Sequence, residues 1–418
     1  MLKGQKIAIL GLQWGDEGKG KVVSYFAKDY DWIVRFSGGP NAGHTVYYGG
    51  KRFIHHLLPS FSKDNSSQKL LIGSGVLIDL EVLKEEVESV SKIISNVKDR
   101  LYIDKKANLI LEYHKIIDEL SERLKGNKAI GTTKRGVGPA QADKINRIGV
   151  RIEDLENEKL LLEKLEMNIR MKKELWKDEK MDSLDSKKIM DSVLKIAEFF
   201  KDNFKSSIDY RDEILNSSAL FEGTQGLLLD IDFGTYPYVT STSCSSGGIS
   251  QGTGLANLKL DKIYGVLKAY TTRVGEGPFP TEDKTERGEK LRKVGGEFGA
   301  TTGRPRRCGW LDLLLLRYAV RYSGVDSLVL TKADILSGIE KIPVCVAYEI
   351  DGKRYEDIDD MGLLLTNKIK PIYEYMDGWK DLKDVNFEKY VRFLEDQLGV
   401  SIEVVSTGPE TNDVFFRV

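Results

Sequence analysis

A short apolar run followed at once by a glycine-rich, charged segment constrains the fold of this chain most. Residues 6–10 (KIAIL) predict a buried strand, because a short continuous apolar run is typical of strands covered on both faces. Residues 11–21 (GLQWGDEGKGK) follow, and a stretch that suits the start of a helix begins at Val22. A strand, a glycine-rich turn and a helix direct backbone N–H groups and a helix N-terminus at an anion. The segment indicates a phosphate loop, and a structural turn with solvated charges is the alternative.

The loop differs from the usual phosphate-loop pattern G-x-x-x-x-G-K-[ST] at two positions. Gly18 and Lys19 match the end of the pattern, but Gln13 replaces its first glycine. Gly20 stands where the pattern has the hydroxyl that binds Mg²⁺. Mg²⁺ prefers hard oxygen donors, so Asp16 is the natural substitute ligand if a nucleotide and Mg²⁺ bind here.

Charge and cysteine content limit the class of protein. The 418 residues include 63 Lys and Arg against 64 Asp and Glu, so the net charge of −1 gives no support to nucleic-acid or membrane binding. Three cysteines without metal-type spacing favour a reducing compartment. The apolar run before Gly11 is too short for a signal peptide, and no stretch approaches membrane-spanning length. We therefore expect a cytoplasmic protein.

Strand-like runs recur along the chain and most are followed by polar, glycine-containing loops. These runs lie at 31–36, 70–72, 76–78, 219–222, 262–270, 327–330, 342–350 (with a hairpin turn at 351–352) and 401–405. Helical spacing covers 80–97, 109–124, 387–398 and the charged segment 154–205, where solvated helices packed by one face are expected. We predict an α/β fold like that of the phosphate-loop NTPases, with a large central, mostly parallel sheet, surrounding helices and helical insertions. Residues 1–418 would form a single domain.

Two further segments carry recognisable chemistry. Residues 301–310 hold three arginines among threonines and a glycine, with no acid inside the run, which favours phosphate or carboxylate recognition over a basic surface turn. Residues 331–334 (TKAD) follow a predicted strand and match an [NT]-K-x-D device that reads guanine. Its Asp carboxylate accepts from the ring N–H and the exocyclic amine together, a pair of donors that adenine lacks. Four residues match easily by chance, but the upstream loop strengthens this interpretation.

Together these segments resemble the adenylosuccinate synthetase family over nearly the whole chain. The shared segments are 13–21, 41–44, 131–147, 222–226, 234–240, 301–307, 331–334 and 406–409. The resemblance implies a GTP-dependent ligase that joins IMP and L-aspartate to give adenylosuccinate, GDP and phosphate, with Mg²⁺, through a 6-phosphoryl-IMP intermediate. This is the first committed step of AMP biosynthesis from IMP. A regulatory GTPase is the alternative, but it would leave the arginine run and residues 223–254 without a role.

The resemblance also implies roles for particular residues. Asp16 would be the base that removes the N1 proton of IMP, His44 an acid that stabilises the moving phosphoryl group, and Gln225 a group that holds the purine. The implied GTP contacts are Gly15, Gly18, Lys19, Gly20, Arg306, Lys332, Asp334 and Gly408. The implied IMP contacts are Asp16, Lys19, Asn41, Thr133, Arg147, Gln225, Thr240 and Arg304. The implied aspartate contacts are Thr301, Thr302 and Arg304, and the implied Mg²⁺ ligands are Asp16 and the Gly43 carbonyl. Arg147 would reach the partner's IMP site across a homodimer interface.

The chain differs from the family's usual residues at four positions. Pro305 replaces a basic residue of some members, Ser74 an Asn, Phe61 a Gly, and Thr411 an Arg that is often found there. None of these positions is Asp16, His44 or Gln225, so the implied reaction class is unchanged.

Overall fold

A ten-stranded sheet forms the centre of the computed structural model, which describes residues 4–299, 303–366 and 368–417. The strands are β1 (Lys6–Gly11), β2 (Trp32–Arg35), β3 (His44–Tyr48), β4 (Lys51–His55), β5 (Lys69–Ile72), β6 (Leu77–Ile78), β7 (Leu101–Asp104), β8 (Asn108–Leu109), β9 (Phe204–Lys205), β10 (Ala219–Glu222), β11 (Lys262–Lys268), β12 (Thr271–Arg273), β13 (Arg307–Gly309), β14 (Leu311–Asp312), β15 (Ser327–Thr331), β16 (Lys341–Ile350), β17 (Lys353–Tyr355), β18 (Lys370–Asp377), β19 (Ile402–Ser406) and β20 (Val414–Phe416).

Helices lie between most of these strands, as expected for an α/β fold. They are α1 (Lys19–Ala27), α2 (Leu80–Ser91), α3 (Glu112–Lys125), α4 (Val137–Ile145), α5 (Glu158–Leu175), α6 (Glu179–Asp182), α7 (Ser186–Phe200), α8 (Arg211–Asn216), α9 (Gly247–Thr253), α10 (Glu286–Gly295), α11 (Leu313–Ser323), α12 (Leu363–Thr366) and α13 (Val385–Leu398). In the described part of the chain, none of them combines the length and apolar character needed to cross a membrane.

The order of the large sheet is β20-β19-β15-β11-β1-β10-β2-β5-β7-β9. Its neighbouring strands are parallel, except that β20 runs antiparallel to β19. The predicted α/β fold with a mostly parallel sheet is therefore confirmed. A smaller sheet combines β14, β16, β17 and β18, and contains the predicted hairpin between β16 and β17.

Alternate residues of β1 enter two different hydrophobic clusters, so the strand is covered on both faces. Ile7 and Ile9 pack in a cluster that also contains Val23 of α1 and Leu161 of α5. Ala8 and Leu10 lie in a separate cluster with residues of β2 and α9. The charged segment 154–205 thus packs one apolar face into the main core, as predicted.

Two local predictions were wrong. A helix was predicted over residues 80–97, but α2 ends at Ser91. Val97 is buried although it lies outside the helix, and this apolar residue extended the predicted helical pattern. His44, expected to end a glycine-rich loop over residues 37–44, is instead the first residue of β3, which forms an antiparallel hairpin with β4.

Parallel pairing places the predicted ligand-binding segments at one edge of the sheet. The carboxyl ends of parallel strands lie together, and open α/β sheets bind ligands there. The segments that follow β1, β2, β10, β15 and β19 begin at residues 12, 36, 223, 332 and 407. This edge is where the candidate site lies.

Candidate active site

The loop between β1 and α1 is folded around the carboxylate of Glu17. The backbone N–H groups of Gln13 and Gly15 each donate to Glu17 Oε1 over 3.0 Å, and Lys19 Nζ lies 2.5 Å from Glu17 Oε2. Glu17 is completely buried, and a Cβ at Gly226 would come within 2.4 Å of its carboxylate. Glu17, to which the sequence analysis assigned no role, therefore holds the loop in one conformation.

The absence of a hydroxyl at position 20 has a steric cause. A Cβ at Gly20 would lie 2.7 Å from the Cβ of His44, closer than real Cβ atoms approach. Gly20 is the second residue of α1, which follows Gly18 at φ +91°. The start of α1 and the predicted acid His44 are thus in direct contact.

His44 is held by a buried carboxylate. Its Nδ1 lies 2.5 Å from Glu222 Oε1, and Ser60 donates to the same carboxylate through its N–H (2.9 Å) and its hydroxyl (2.6 Å). Burial lowers the pKa of His44, although the Glu222 charge opposes this. Burial raises the pKa of Glu222, but the charges of His44 and Arg35 prevail and lower it to about 2. Glu222 therefore stays ionised and orients the imidazole, leaving Nε2 for another partner.

Asp16 is paired with the arginine run. Its backbone adopts φ +60°, and its Oδ2 lies 2.6 Å from Arg306 Nε. Arg306 Nη1 also lies 2.7 Å from Glu297 Oε2, while Arg307 pairs with Glu282 at 2.7 Å. The arginine run contains no acid, but acids from other segments form ion pairs with Arg306 and Arg307.

The predicted purine side of the site contains unsatisfied amide groups. Asn41 Nδ2 donates to Thr240 Oγ1 over 3.3 Å, which joins the segment after β2 to the long loop after β10. Gln225, at φ +49°, has both side-chain amide atoms shielded from solvent and without a hydrogen-bond partner among the described residues. Asn41 Oδ1 is likewise shielded from solvent and has no hydrogen-bond partner among the described residues. Buried polar atoms are rarely left unpaired, so these groups suit a polar ligand.

The predicted guanine-reading segment contacts the phosphate loop. Thr331, the last residue of β15, donates its hydroxyl hydrogen to the Glu17 carbonyl over 2.6 Å. Lys332, at φ +56°, places its Nζ 2.9 Å from Glu297 Oε1. Burial raises the pKa of the half-buried Asp334. The hydroxyl of Thr331 thus joins the predicted guanine-reading segment directly to the predicted phosphate loop.

Gly408 is joined to α1 by a half-buried lysine. Lys21 Nζ donates to the carbonyls of Gly408 (2.5 Å) and Asp413 (2.9 Å) and to the hydroxyl of Ser406 (2.8 Å). Burial lowers the pKa of Lys21 to about 8. Lys21 thus places Gly408 beside the phosphate loop.

Comparison with known proteins assigns the family. A family model described as adenylosuccinate synthetase matches residues 8–415. The chain belongs to the adenylosuccinate synthetase family. An adenylosuccinate synthetase of Thermotoga maritima is 50% identical over 97% of this chain and 98% of that protein, and one of Petrotoga mobilis is 48% identical over 98% and 97%. The solved structure of fully ligated adenylosuccinate synthetase from Plasmodium falciparum is similar with a TM-score of 0.92, at 36% identity over 99% of each chain.

Membership of this family defines the reaction. The chain is a GTP-dependent ligase that joins IMP and L-aspartate in AMP biosynthesis. The alternative prediction, a regulatory GTPase, has no support from these relatives.

Three predicted site residues of this synthetase are exposed, and two more lie outside the described residues. Thr133 and Arg147 are exposed, and within the described residues neither side chain bonds to another predicted site residue. Arg147 adopts φ +64° just after α4. Thr301 and Thr302 lie outside the described residues. Arg304 is exposed, and its carbonyl accepts from the Gly299 N–H over 2.8 Å.

The oxygen atoms available near the phosphate loop suit Mg²⁺. The Asp16 side chain is 29% exposed, and Gly43 is half-buried. The described residues contain no cluster of three or more His, Cys, Asp or Glu that could hold a metal. A carboxylate and a carbonyl fit Mg²⁺, which takes most of its remaining ligands from substrate phosphates and water.

The contact between Gly20 and His44 leads to a prediction. Gly20→Ser restores the residue of the ordinary phosphate loop, yet we expect adenylosuccinate formation to slow by about 100-fold. The new Cβ would displace His44, and a displacement of about 1 Å at a reacting centre can have an effect of that size. Steady-state kinetics would measure it.

Gly20→Ala is the matched control, because it adds the Cβ without the hydroxyl. Both variants should lose activity equally. An active Gly20→Ser enzyme beside an inactive Gly20→Ala enzyme would contradict the steric explanation.

Proposed function

We propose that this chain transfers the γ-phosphoryl group of GTP to O6 of IMP and that the amine of aspartate then displaces it. O6 is a poor leaving group until it is phosphorylated, and it attacks phosphorus well only once the N1 proton has been removed. The 6-phosphoryl-IMP that forms loses phosphate when the amine nitrogen bonds to C6. The observation that carries the proposal is the assembly of Asp16, His44 and Gln225 at the carboxyl edge of the sheet, around the loop that contains Lys19.

Asp16 is the base in this proposal. The Arg306 guanidinium forms a close ion pair with the carboxylate, although its Nε is not aligned for a hydrogen bond, and the exposed fraction of Asp16 leaves it accessible to a ligand. Asp16 and the Gly43 carbonyl would hold Mg²⁺. When bound, Mg²⁺ neutralises charge on the phosphate oxygens, which is what phosphoryl transfer demands of its surroundings.

His44 is the acid that stabilises the transferring phosphoryl group. Nδ1 donates to the ionised Glu222, so Nε2 donates to a phosphoryl oxygen only in the imidazolium form. Burial lowers the pKa of His44, and the negative charges of Glu222 and of the bound phosphates oppose this and favour the imidazolium. The ionised Glu222 stabilises the imidazolium form, and its position is fixed by Ser60. Fixed donors of this kind act without reorganisation when charge develops.

The remaining assignments follow the positions of the segments. Gln225, Asn41 and Thr240 bind IMP through amide and hydroxyl groups, of which the Gln225 amide atoms and Asn41 Oδ1 have no protein partner. The residues proposed to complete the IMP site are Lys19, Thr133, Arg147 and Arg304. The GTP contacts are Gly15, Gly18, Lys19, Gly20, Arg306, Lys332, Asp334 and Gly408. The aspartate contacts are Thr301, Thr302 and Arg304.

The protein is proposed to act as a cytoplasmic homodimer of one-domain subunits. The three cysteines are free and buried, as suits a reducing compartment. Helices of the 154–205 segment share a core with β1, which supports treating residues 1–418 as one domain. Arg147 is exposed beside Ile145, an apolar side chain that is 69% exposed, so this end of α4 is a suitable dimer contact.

An omission assay tests the reaction. Purified protein is mixed with IMP, aspartate, GTP and Mg²⁺, and adenylosuccinate is followed by absorbance, with each component left out in turn. Product should form only in the complete mixture. GTP hydrolysis that ignores IMP and aspartate would contradict the ligase.

A substitution of Asp16 tests the base. Asp16→Asn keeps the shape but removes the basic oxygen, so we expect kcat to fall at least about 100-fold. The GTP dissociation constant, measured by calorimetry, should change little. Undiminished turnover would remove Asp16 from this role.

Mixing Asp16→Asn with Arg147→Leu tests the contribution of Arg147, at an IMP concentration too low for the Arg147→Leu homodimer to turn over. Arg147→Leu should weaken IMP binding in the partner's site while GTP binding is preserved. In a dimer of one Asp16→Asn and one Arg147→Leu subunit, one of the two sites has both native residues. Random mixing should therefore restore about one quarter of wild-type activity. If the mixture stays inactive, Arg147 does not serve a partner's site.

A further inference from the structure

The turn that carries Arg147, residues 146–149, is closed onto the end of α4 by one backbone carbonyl. The N–H groups of Ile148 and Gly149 both donate to the carbonyl of Asp143, over 3.0 and 3.1 Å. Arg147 itself adopts φ +64°, a conformation that a residue with a side chain keeps only where its surroundings hold it. The direction of the exposed Arg147 side chain therefore depends on the contacts that hold this turn.

A buried amide of the charged segment 154–205 supplies one of these contacts. Asn168 lies in α5 and is completely buried. Its Nδ2 donates to the Ile148 carbonyl over 2.8 Å and to the Tyr113 hydroxyl over 3.4 Å. Because Ile148 directly follows Arg147 in the chain, Asn168 fixes the backbone next to the proposed IMP contact.

A second residue of α5 fixes Asp143, whose carbonyl closes the turn. Lys172 lies one helical turn beyond Asn168, on the same face of α5, and its Nζ pairs with Asp143 Oδ1. On the other side, His114 Nδ1 accepts from the Leu111 N–H over 2.9 Å, so Nε2 carries the hydrogen and donates to Asp143 Oδ2 over 3.1 Å. Burial would raise the pKa of Asp143, but the hydrogen bonds from His114 and Lys172 lower it. The Asp143 carboxylate is thus held between α3 and α5.

The chain beyond the turn is fixed separately. The Leu109 N–H donates to the Val150 carbonyl over 2.8 Å, and the Ile152 N–H donates to the Ala107 carbonyl over 3.0 Å. These bonds fasten residues 150–152 to β8 and its neighbours. The turn therefore lies between two fastened stretches of chain, and α5 is the element that holds it from the side.

We propose that Asn168 and Lys172 are positioning residues that fix the direction of Arg147, so that the charged segment 154–205 of one subunit helps to form the IMP site of its partner. The proposal rests on the proposed role of Arg147 at that site. Both residues are buried and act through the turn rather than on IMP. A simpler role would be that they only attach α5 to the core.

Asn168→Leu tests the proposal because it keeps the approximate size of the side chain and removes its donor. We expect the KM for IMP to rise about tenfold, because a misplacement of about 1 Å in a positioning group is enough for such a change. Both kcat and the KM for GTP should stay within about twofold, since only IMP binding is weakened. Equal changes in the KM values for IMP and GTP would overturn the proposal.

Asn203→Leu is a matched control. Asn203 is also buried, and its Nδ2 donates to the carbonyls of Lys98 and Leu101, each over 2.8 Å, which belong to neither α4 nor the turn. This variant should lower the melting temperature about as much as Asn168→Leu and leave the KM for IMP unchanged. If it raises that KM as Asn168→Leu does, a loss of stability is sufficient and the specific role fails.

Lys172→Met is the second variant, and it carries the test if Asn168→Leu folds poorly. It leaves Asn168 in place and removes the ion pair with Asp143. We expect the KM for IMP to rise about threefold, less than in Asn168→Leu because the lost contact is farther from Arg147. An unchanged KM for IMP in each variant that folds would overturn the proposal.

Mixing subunits at a low IMP concentration shows which site Asn168 serves. Asn168→Leu mixed with Asp16→Asn should recover about one quarter of wild-type activity, because one site of each mixed dimer has a native Asp16 and a correctly directed Arg147. Asn168→Leu mixed with Arg147→Leu should recover none, because both variants damage the same contribution. The opposite pattern would show that Asn168 serves the site of its own subunit, and would overturn the proposal.

The pair of Asp16→Asn and Arg147→Leu separates this proposal from the proposed function. If that pair recovers activity and Asn168→Leu with Asp16→Asn does not, only the role of Asn168 is overturned. If that pair recovers none, the proposed role of Arg147 is contradicted, and the role of Asn168 with it. A wild-type enzyme that makes no adenylosuccinate would contradict the proposed function as a whole.

Discussion

Burial of charged carboxylates beneath the carboxyl edge of the sheet is the constraint on which the site depends. Glu17, Glu222 and Glu297 are each completely buried. An ionised acid is costly to bury unless it is paired and hydrogen-bonded, and each of the three has a cationic or histidine partner at 3.0 Å or less. Because the acceptors must be satisfied, each acid holds the loops around it in one arrangement.

The three buried acids bind protein groups, while the Gln225 amide remains available to a ligand. Glu17 satisfies backbone donors of the phosphate loop, and Glu222 fixes the imidazole of His44. Above them, the Gln225 amide lacks a protein partner among the described residues. The three carboxylates are thus satisfied by protein groups and the Gln225 amide is not, which is the arrangement expected of a preorganised site.

Local sequence signals predicted the strands and loops that form the site but not the roles of its buried acids. β1, β10 and β15 could be predicted because short apolar runs end in polar or glycine-rich loops, and parallel pairing then brings those loops together. Glu222 and Glu297 had no such signal, since their partners lie far away in the sequence. The hairpin of β3 and β4 was also not predicted, although Gly49 and Gly50 separate two runs rich in β-branched and aromatic residues, which is a hairpin signal.

The missing hydroxyl of the phosphate loop and the presence of Asp16 have one explanation. His44 packs so closely on the first turn of α1 that position 20 has no room for a Cβ, and an ordinary Ser or Thr is excluded. An oxygen ligand must then come from elsewhere in the loop. In the proposed function Asp16 supplies it, from a left-handed backbone conformation, φ +60°, which Asp tolerates better than most residues. The same carboxylate is the base in the proposed function. The contact that brings His44 close to the loop therefore excludes a hydroxyl at position 20 and leaves Asp16 as the acidic oxygen donor of the loop.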